Sequence, residues 1–325
     1  MSLVLKDVKK HFNLEAGLFA RYGKFVYAVN GVSFDIKNNE AFGLVGESGC
    51  GKTTVARLIV QMYKHSFGHI SFTDKNGTVF DLDNIDNKNL KLLRNKIRYI
   101  FQDPARSLNP RMTILDVLTS GYKYSPFWKG NKKAKEESTE ILESVGLSEK
   151  DLERRPQDFS GGQRQRISIA RALLTKPELL ICDEVVSALD VSIQSQILNL
   201  LVEIRKKYQI SLLFIAHDLT VVSYFCDRIG VMYGGQIVEL GSSKSITEKK
   251  LHPYTQLLYS SIPDIKNRKE ILAEKTIIEM PAPTQKPEGC PFYNRCKIHK
   301  EICLTKQPIL KEIEPEHFVA CHCLE

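Results

Sequence analysis

The residues with the strongest chemical meaning run Gly46-Glu47-Ser48-Gly49-Cys50-Gly51-Lys52-Thr53-Thr54, which fits G-x-x-x-x-G-K-S/T with no mismatch. Glycines at this spacing let a backbone bend tightly and turn its N–H groups inward at an oxyanion. The lysine that follows is placed to reach β- and γ-phosphates, and the Thr53 hydroxyl to take one position on Mg²⁺. The flanks agree. Glu40 to Val45 reads as a short buried strand, and Val55, Leu58, Ile59 and Met62 recur at helical spacing after the loop. A helix that starts there adds partial positive charge. The stretch predicts a nucleoside triphosphate held by Gly46, Glu47, Ser48, Gly49, Cys50, Gly51, Lys52, Thr53 and Thr54.

Two further stretches carry chemistry. Leu179-Leu180-Ile181-Cys182 leads into Asp183-Glu184. An Asp at the end of a buried strand can hold Mg²⁺, directly or through water, and a Glu beside it can take a proton from an attacking water. Such a strand is common alone; it gains weight by following a phosphate loop. Phe159-Ser160-Gly161-Gly162-Gln163 is a Ser-Gly-Gly turn opening a helix. It reads as a second anion cradle or as a helix cap with flexible glycines. One small site does not need two cradles, so the first reading implies that this turn serves a nucleotide held by another subunit.

The elements that must position these residues are legible in outline. Residues 2–12 read as an edge strand, 27–36 as a second strand, 13–26 as a loop insertion and 69–83 as a hairpin turning at Asn76-Gly77. A short strand from Ile97 stops at Pro104, and residues 110–176 are mostly helical by spacing. Strands at 179–184 and 211–217 enclose a helix from Ser192 to Tyr208, which predicts a largely parallel α/β core. After about residue 250 the pattern weakens, and Pro281, Pro283, Pro287 and Pro291 mark a linker into a tail.

With 42% hydrophobic and 26% charged residues in 325, the composition is that of an ordinary soluble chain. No run approaches the ~18 apolar residues of a membrane span, and Met1 to Asp7 lacks a signal peptide's basic start and apolar core. The chain is expected in the cytosol, touching a membrane only through a partner. Its net charge of +8 is spread along the sequence. Lys129 to Lys133 reads as solvated surface, and no nucleic-acid motif stands beside it.

Eight cysteines in a reducing compartment are not expected to form structural disulfides. Cys50, Cys182 and Cys226 lie singly, the first two as space-filling or core residues. Cys290, Cys296, Cys303, Cys321 and Cys323 crowd the end. Cys290, Cys296, Cys303 and Cys321 give C-x5-C-x6-C-x17-C, which points to metal. The gaps exceed those of zinc knuckles and match neither common ferredoxin spacing. They suit the corners of a cubane better than a tight tetrahedron. Zinc and unligated thiols stay open, as does replacement of Cys321 by His322 or Cys323.

Over residues 2–262 the sequence closely resembles the ATP-binding-cassette (ABC) ATPases. Gly46 to Thr54 is similar to Walker A, Leu179 to Glu184 to Walker B, and Ser160-Gly161-Gly162-Gln163 to the family signature, with Phe159 where leucine is usual. Gln102 falls at the Q-loop position, Ser187-Ala188-Leu189-Asp190 at the D-loop, and His217 at the switch histidine. Phe12 falls where the family stacks an aromatic on adenine; Tyr22 or Phe25 are alternatives. Val185 departs from the usual proline or alanine, which puts only local rigidity in doubt.

The resemblance implies a P-loop NTPase fold with a mostly parallel α/β core, an antiparallel β subdomain and a helical subdomain at about 104–176. A Cys-rich extension would follow at 263–325. It implies ATP as substrate and Mg²⁺ held by Thr53, Gln102 and Asp183. Glu184, His217 and Gln102 become the catalytic set, and Ser160 to Gln163 with Asp190 contact nucleotide.

The stretches 183–201, 102–110 and His252 to Leu258, together with the tail, resemble peptide and nickel importer ATPases. The match implies a 4Fe–4S cluster on Cys290, Cys296, Cys303 and Cys321. It implies an F-type subunit on the cytoplasmic face, paired with a second, homologous ABC ATPase. Two transmembrane permease subunits and an extracytoplasmic substrate-binding protein complete the set. Peptides are the expected solute; nickel or oligosaccharides are the alternative. Ribosome- or DNA-acting cassettes commonly carry two cassettes per chain, and a non-hydrolysing cassette would be expected to lack Glu184 or His217.

Overall fold

Leu179–Asp183 and Ser211–Ala216 are almost unbroken apolar runs, and a strand without a polar face is stable only when both faces are covered. In the computed structural model, which describes residues 1–13, 25–260 and 288–324, every residue of both strands is buried.

In chain order the elements begin with β1 (Ser2–Asn13), β2 (Phe25–Ile36), β3 (Ala41–Val45) and α1 (Lys52–Ile59). Next come β4 (Phe67–Thr73), β5 (Val79–Asp81), α2 (Asn87–Lys96) and β6 (Ile97–Ile100). The helices α3 (Pro104–Ser107), α4 (Ile114–Tyr122), α5 (Asn131–Ser144) and α6 (Gly161–Leu173) follow. Then come β7 (Leu179–Asp183), α7 (Val191–Tyr208), β8 (Ser211–Ala216) and α8 (Leu219–Phe225). β9 (Arg228–Tyr233), β10 (Gln236–Ser242), α9 (Ser243–Glu248) and α10 (Pro253–Ser260) lead to the tail. The tail holds α11 (Ile302–Thr305), β11 (Lys311–Glu314) and β12 (His317–Val319).

The chain divides into two compact units. One holds Met1–Ser2, Ile36–Glu40 and Phe72–Ile215. There β6, β7 and β8 run parallel, with Ile97 opposite Leu179 and Leu179 opposite Ser211. The helices expected over 110–176 are α4 to α6, and α7 carries the crossover from β7 to β8. The Asn76-Gly77 turn forms because the Asp74 carboxylate accepts the N–H groups of Asn76 and Thr78, both at 2.8 Å.

The other unit holds Leu3–Asp35, Ala41–Ser71 and Ala216–Glu325. Here β3 pairs parallel with β9, β10 antiparallel with β9, and β12 antiparallel with β10. The fold is thus α/β with both parallel and antiparallel pairing. The reading of residues 2–12 as an edge strand is corrected: β1 lies between β2 and β4. Leu3, Leu5 and Val8 are buried, a half-buried pattern that a central and an edge antiparallel strand show alike, so it could not tell them apart. Residues 14–24 of the expected insertion, including Tyr22, lie outside the described residues. So do the 262/263 boundary and Pro281, Pro283 and Pro287.

The tail is fastened by a buried polar contact. His317 Nε2 lies 2.7 Å from Glu239 Oε1, and both side chains are fully buried. The Glu239 carboxylate also accepts the N–H groups of Leu251 and His252, each at 3.0 Å. Removing one member of such a pair leaves a buried group short of a partner. His317→Ala is therefore expected to lower stability by about 3 kcal/mol, read as a shift of the urea midpoint. A change below about 0.5 kcal/mol would contradict this role of the pair.

Candidate functional site

The loop from Gly46 to Gly51 joins β3 to α1. At Gly51 the backbone has φ +108°, and a Cβ there would lie 2.3 Å from the Ala28 carbonyl oxygen, so only glycine fits. Gly49 has φ +81°. No side chain caps the start of α1, which leaves its first turn to present N–H groups along the loop. Lys52 is buried, and its Nζ donates to the carbonyls of Gly46 (2.7 Å) and Glu47 (3.0 Å). Cys50 Sγ lies 3.8 Å from that nitrogen, yet burial pushes the thiol up, as fits a space-filling residue. Ser48 and Gly49 are exposed, and Thr53 and Thr54 half-buried.

Glu47 is held from outside the motif. Its N–H donates to Tyr254 Oη at 2.8 Å, and its carboxylate takes a two-pronged bond from Arg295 at 2.7 and 2.9 Å. At the end of β1, Phe12 is half-buried, and its ring meets Tyr63 edge-on at 5.3 Å. Phe25 is 40% exposed. His217 follows β8 directly and is exposed, with Asp218 capping α8 behind it.

In the other unit, three of the expected residues come together at the end of β7. Asp183 is buried and accepts a hydrogen bond from the Tyr99 hydroxyl. Glu184 has φ +49°, a left-handed backbone that costs a non-glycine residue about 1 kcal/mol. Its N–H donates to the Ile215 carbonyl (2.9 Å), and its own carbonyl accepts the Ser187 hydroxyl (2.9 Å). Gln102 Nε2 donates to Glu184 Oε2 at 2.7 Å. The missing proline after Glu184 is compensated: Val185 and Val186 are buried, and the Gln194 amide ties the carbonyls of Val186 and Leu189.

The Ser-Gly-Gly turn has the geometry of a helix cap. Ser160 caps α6, with Gln163 N–H donating to Ser160 Oγ and Ser160 N–H to Gln163 Oε1. Ser160, Gly161 and Gln163 are nonetheless exposed, and a Cβ on Gly162 would lie 2.6 Å from Ile193 Cγ2. Phe159 is buried under the Arg154 guanidinium, 4.3 Å from its ring, which accommodates the unusual aromatic. Asp190 precedes α7 and is exposed, without a capping bond. Beside Gln102 lies a groove of about 270 Å³ lined by Arg98, Tyr99, Phe101, Leu118 and Arg171. Burial, with the Arg171 charge adding to it, pushes the Arg98 guanidinium down to about 10.

The five tail thiols face one another. Burial raises Cys290, with Cys303, Cys296 and Cys323 adding to it. Cys321 is pushed up to about 11 by burial and then by Cys323, Cys290 and Cys296. Cys323 Sγ also donates to the Ile298 carbonyl at 2.9 Å.

Tyr99, Tyr254 and Arg295 were not singled out from sequence. Their partners are distant along the chain, and only the His252 to Leu258 stretch carried any signal. Among the described residues, no helix is long and apolar enough to cross a membrane.

A family model described as "ABC transporter" matches residues 29–187, and one described as "Oligopeptide/dipeptide transporter, C-terminal region" matches residues 238–303. The oligopeptide transport ATP-binding protein AppF of Bacillus subtilis is 45% identical over 98% of this chain and 96% of its own length. OppF of Escherichia coli, of the same description, is 41% identical over 98% and 95%. Among solved structures, cbiO1 from Clostridium perfringens, part of the transporter complex cbiONQ, matches with a TM-score of 0.64 at 26% identity over 76% of this chain and 91% of that one. The ATP-binding cassette MJ0796, a dimer bound to ADP and Pi, matches with a TM-score of 0.63 at 27% identity over 74% and 98%.

The Gly51 geometry makes a direct prediction. Gly51→Ala is expected to abolish nucleotide binding and to cost about 2–3 kcal/mol of stability, read by nucleotide titration and thermal unfolding. Wild-type affinity in this variant would show that the loop tolerates a Cβ and that its tight path is not what holds phosphate.

Proposed function

This chain belongs to the ABC transporter ATP-binding proteins of the oligopeptide transport family, and on that premise we propose that it hydrolyses ATP to drive peptide import through partner membrane subunits. The observation that carries the hydrolytic part is the cluster at the end of β7, where Gln102 grips the Glu184 carboxylate beside buried Asp183.

Lys52 rests on two loop carbonyls, which a triphosphate replaces with a charge-assisted partner. Thr53, Asp183 and Gln102 are the residues that would hold Mg²⁺, which neutralises charge on the phosphates. Glu184 takes the proton of the attacking water, and Gln102 orients both. His217 contacts the γ-phosphate, and Phe12 gives adenine a stacking face. Ser160, Gly161, Gly162 and Gln163, all but Gly162 exposed, meet with Asp190 the nucleotide held by a second, homologous cassette. A triphosphate joining both cassettes stabilises the closed pair, and its cleavage releases them.

The opening is passed to two permease subunits, with an extracytoplasmic protein delivering the solute. The groove lined by Phe101, Leu118, Arg98 and Arg171 suits a short permease helix that carries an acidic group. Nickel or an oligosaccharide remains the alternative solute, because the cassette does not touch its cargo.

The tail is read as the holder of a 4Fe–4S cluster on Cys290, Cys296, Cys303 and Cys321. A tetrahedral zinc with Zn–S bonds of about 2.3 Å brings its thiolates to roughly 3.8 Å of one another. Cys303, Cys296 and Cys323 act on Cys290, and Cys323, Cys290 and Cys296 on Cys321. A donor set made only of thiols fits the chemistry of a cluster.

Two measurements test these readings. Glu184→Gln is expected to keep Mg-ATP affinity while turnover falls about 100-fold or more; undiminished turnover would remove Glu184 as the base. Anaerobically purified full-length chain is expected to carry about four iron and four sulfide with a brown absorbance. One equivalent of zinc in their place would exclude the cluster.

A further inference from the structure

Glu47 sits inside the phosphate-loop motif, yet its N–H and its carboxylate are both bound by residues the motif does not contain. Its N–H donates to Tyr254 Oη, its carbonyl accepts Lys52 Nζ, and its carboxylate accepts both Arg295 nitrogens. Arg295 belongs to the tail, between Cys290 and Cys296, 248 residues along the chain from Glu47.

The seat of Arg295 is built, not incidental. Its guanidinium stands 5.7 Å from the ring centroids of both Tyr233 and Phe292. Phe292 is itself buried, with its ring 5.1 Å from Tyr233 and 5.5 Å from Tyr254. A Cβ on Gly234 would lie 2.9 Å from Pro291 Cβ, so the tail approaches the β9–β10 turn as closely as glycine permits. The next residue of that turn, Gly235, donates its N–H to the Cys50 carbonyl at 3.0 Å. The tail segment 291–296 therefore braces the loop in two ways: through the Arg295–Glu47 bond, and through a turn bonded to Cys50.

A planar guanidinium gripping a carboxylate with two parallel bonds fixes orientation as well as distance. The side chains of Arg295 and Glu47 are only 23% and 27% exposed, so water screens the pair less than an open surface bridge. Fixing Glu47 fixes the peptide units on both sides of it. Those units include the Gly46 and Glu47 carbonyls that Lys52 must leave when it turns to phosphate.

We propose that Arg295 is a positioning residue for nucleotide binding, acting from the tail through Glu47 to hold the phosphate loop in its binding shape. The proposal rests on the reading of residues 46–54 as the triphosphate site. It assigns the tail a role in nucleotide affinity, independent of whatever its thiols hold.

The test is a double-mutant cycle in the full-length chain, with Mg-ADP and Mg-ATP affinity read by calorimetry and steady-state kinetics run alongside. Arg295→Ala and Glu47→Ala are each expected to weaken binding and raise KM about five- to tenfold, with kcat within about twofold. The double variant is expected to be no weaker than the weaker single one, because both remove the same bond. Arg295→Lys keeps the charge and loses the fork; it is expected to fall in between at an unchanged thermal midpoint, which keeps the test open should Arg295→Ala fold poorly. Affinity within twofold of the parent in Arg295→Ala, or effects that multiply in the double variant, would overturn the proposal. Lys52→Ala separates it from the underlying site reading. If that variant loses nucleotide while the Arg295 variants do not, the brace alone is wrong; if it binds normally, the site reading is wrong and the brace with it.

Discussion

The constraint on which the rest of this protein depends is steric: the backbone at Gly51 runs so close to the Ala28 carbonyl that no β-carbon can stand there. That contact sets a left-handed φ at the residue before α1, which puts the first helical residue, Lys52, at the loop's inner edge. The lysine is then buried with its ammonium on the loop's own carbonyls. A buried ammonium is costly unless it is bonded, so a loop that offers only neutral carbonyls leaves it ready for a better anion. Phosphate is that anion, and the helix start faces the same way.

The second half of the chemistry depends on strain of another kind. Glu184 is an ordinary L-residue in a left-handed conformation, kept there by a backbone bond to Ile215 and by the Ser187 hydroxyl on its carbonyl. The result is a carboxylate that leaves the end of β7 at an angle no regular strand would give it, where Gln102 reaches it. Asp183, one residue earlier, stays in the strand and stays buried under the Tyr99 hydroxyl. Two adjacent acids thus receive different environments from one kink, which suits the separate roles proposed for them.

What the sequence made legible follows from how local the chemistry is. The phosphate loop, the Asp183-Glu184 strand end and the Ser160 turn are each contiguous, so residue type and spacing reveal them. The parallel order of β6, β7 and β8 was readable because strand and helix periods alternate cleanly there. Pairing partners were not readable, which is why β1 passed for an edge strand. The tail's β12 escaped notice because three residues, His317–Val319, carry no periodicity, and their anchor is Glu239 in another strand. The same holds for Arg295 and Glu47: nothing local distinguishes an arginine that will cross 248 residues to a phosphate loop from one that faces water. Cysteine spacing marks the thiols of the tail and says nothing of the arginine between Cys290 and Cys296.

Coupling of hydrolysis to opening requires a nucleotide that bridges two cassettes. The most direct measurement is a structure of the hydrolysis-blocked chain, assembled in its oligopeptide transport complex and loaded with Mg-ATP. The Ser160 hydroxyl and the Gly161 and Gly162 N–H groups are expected within hydrogen-bonding distance of the γ-phosphate held by the other cassette's phosphate loop. A nucleotide bound by the Lys52 loop alone, with the Ser160 turn facing water in an assembly that still transports, would contradict this.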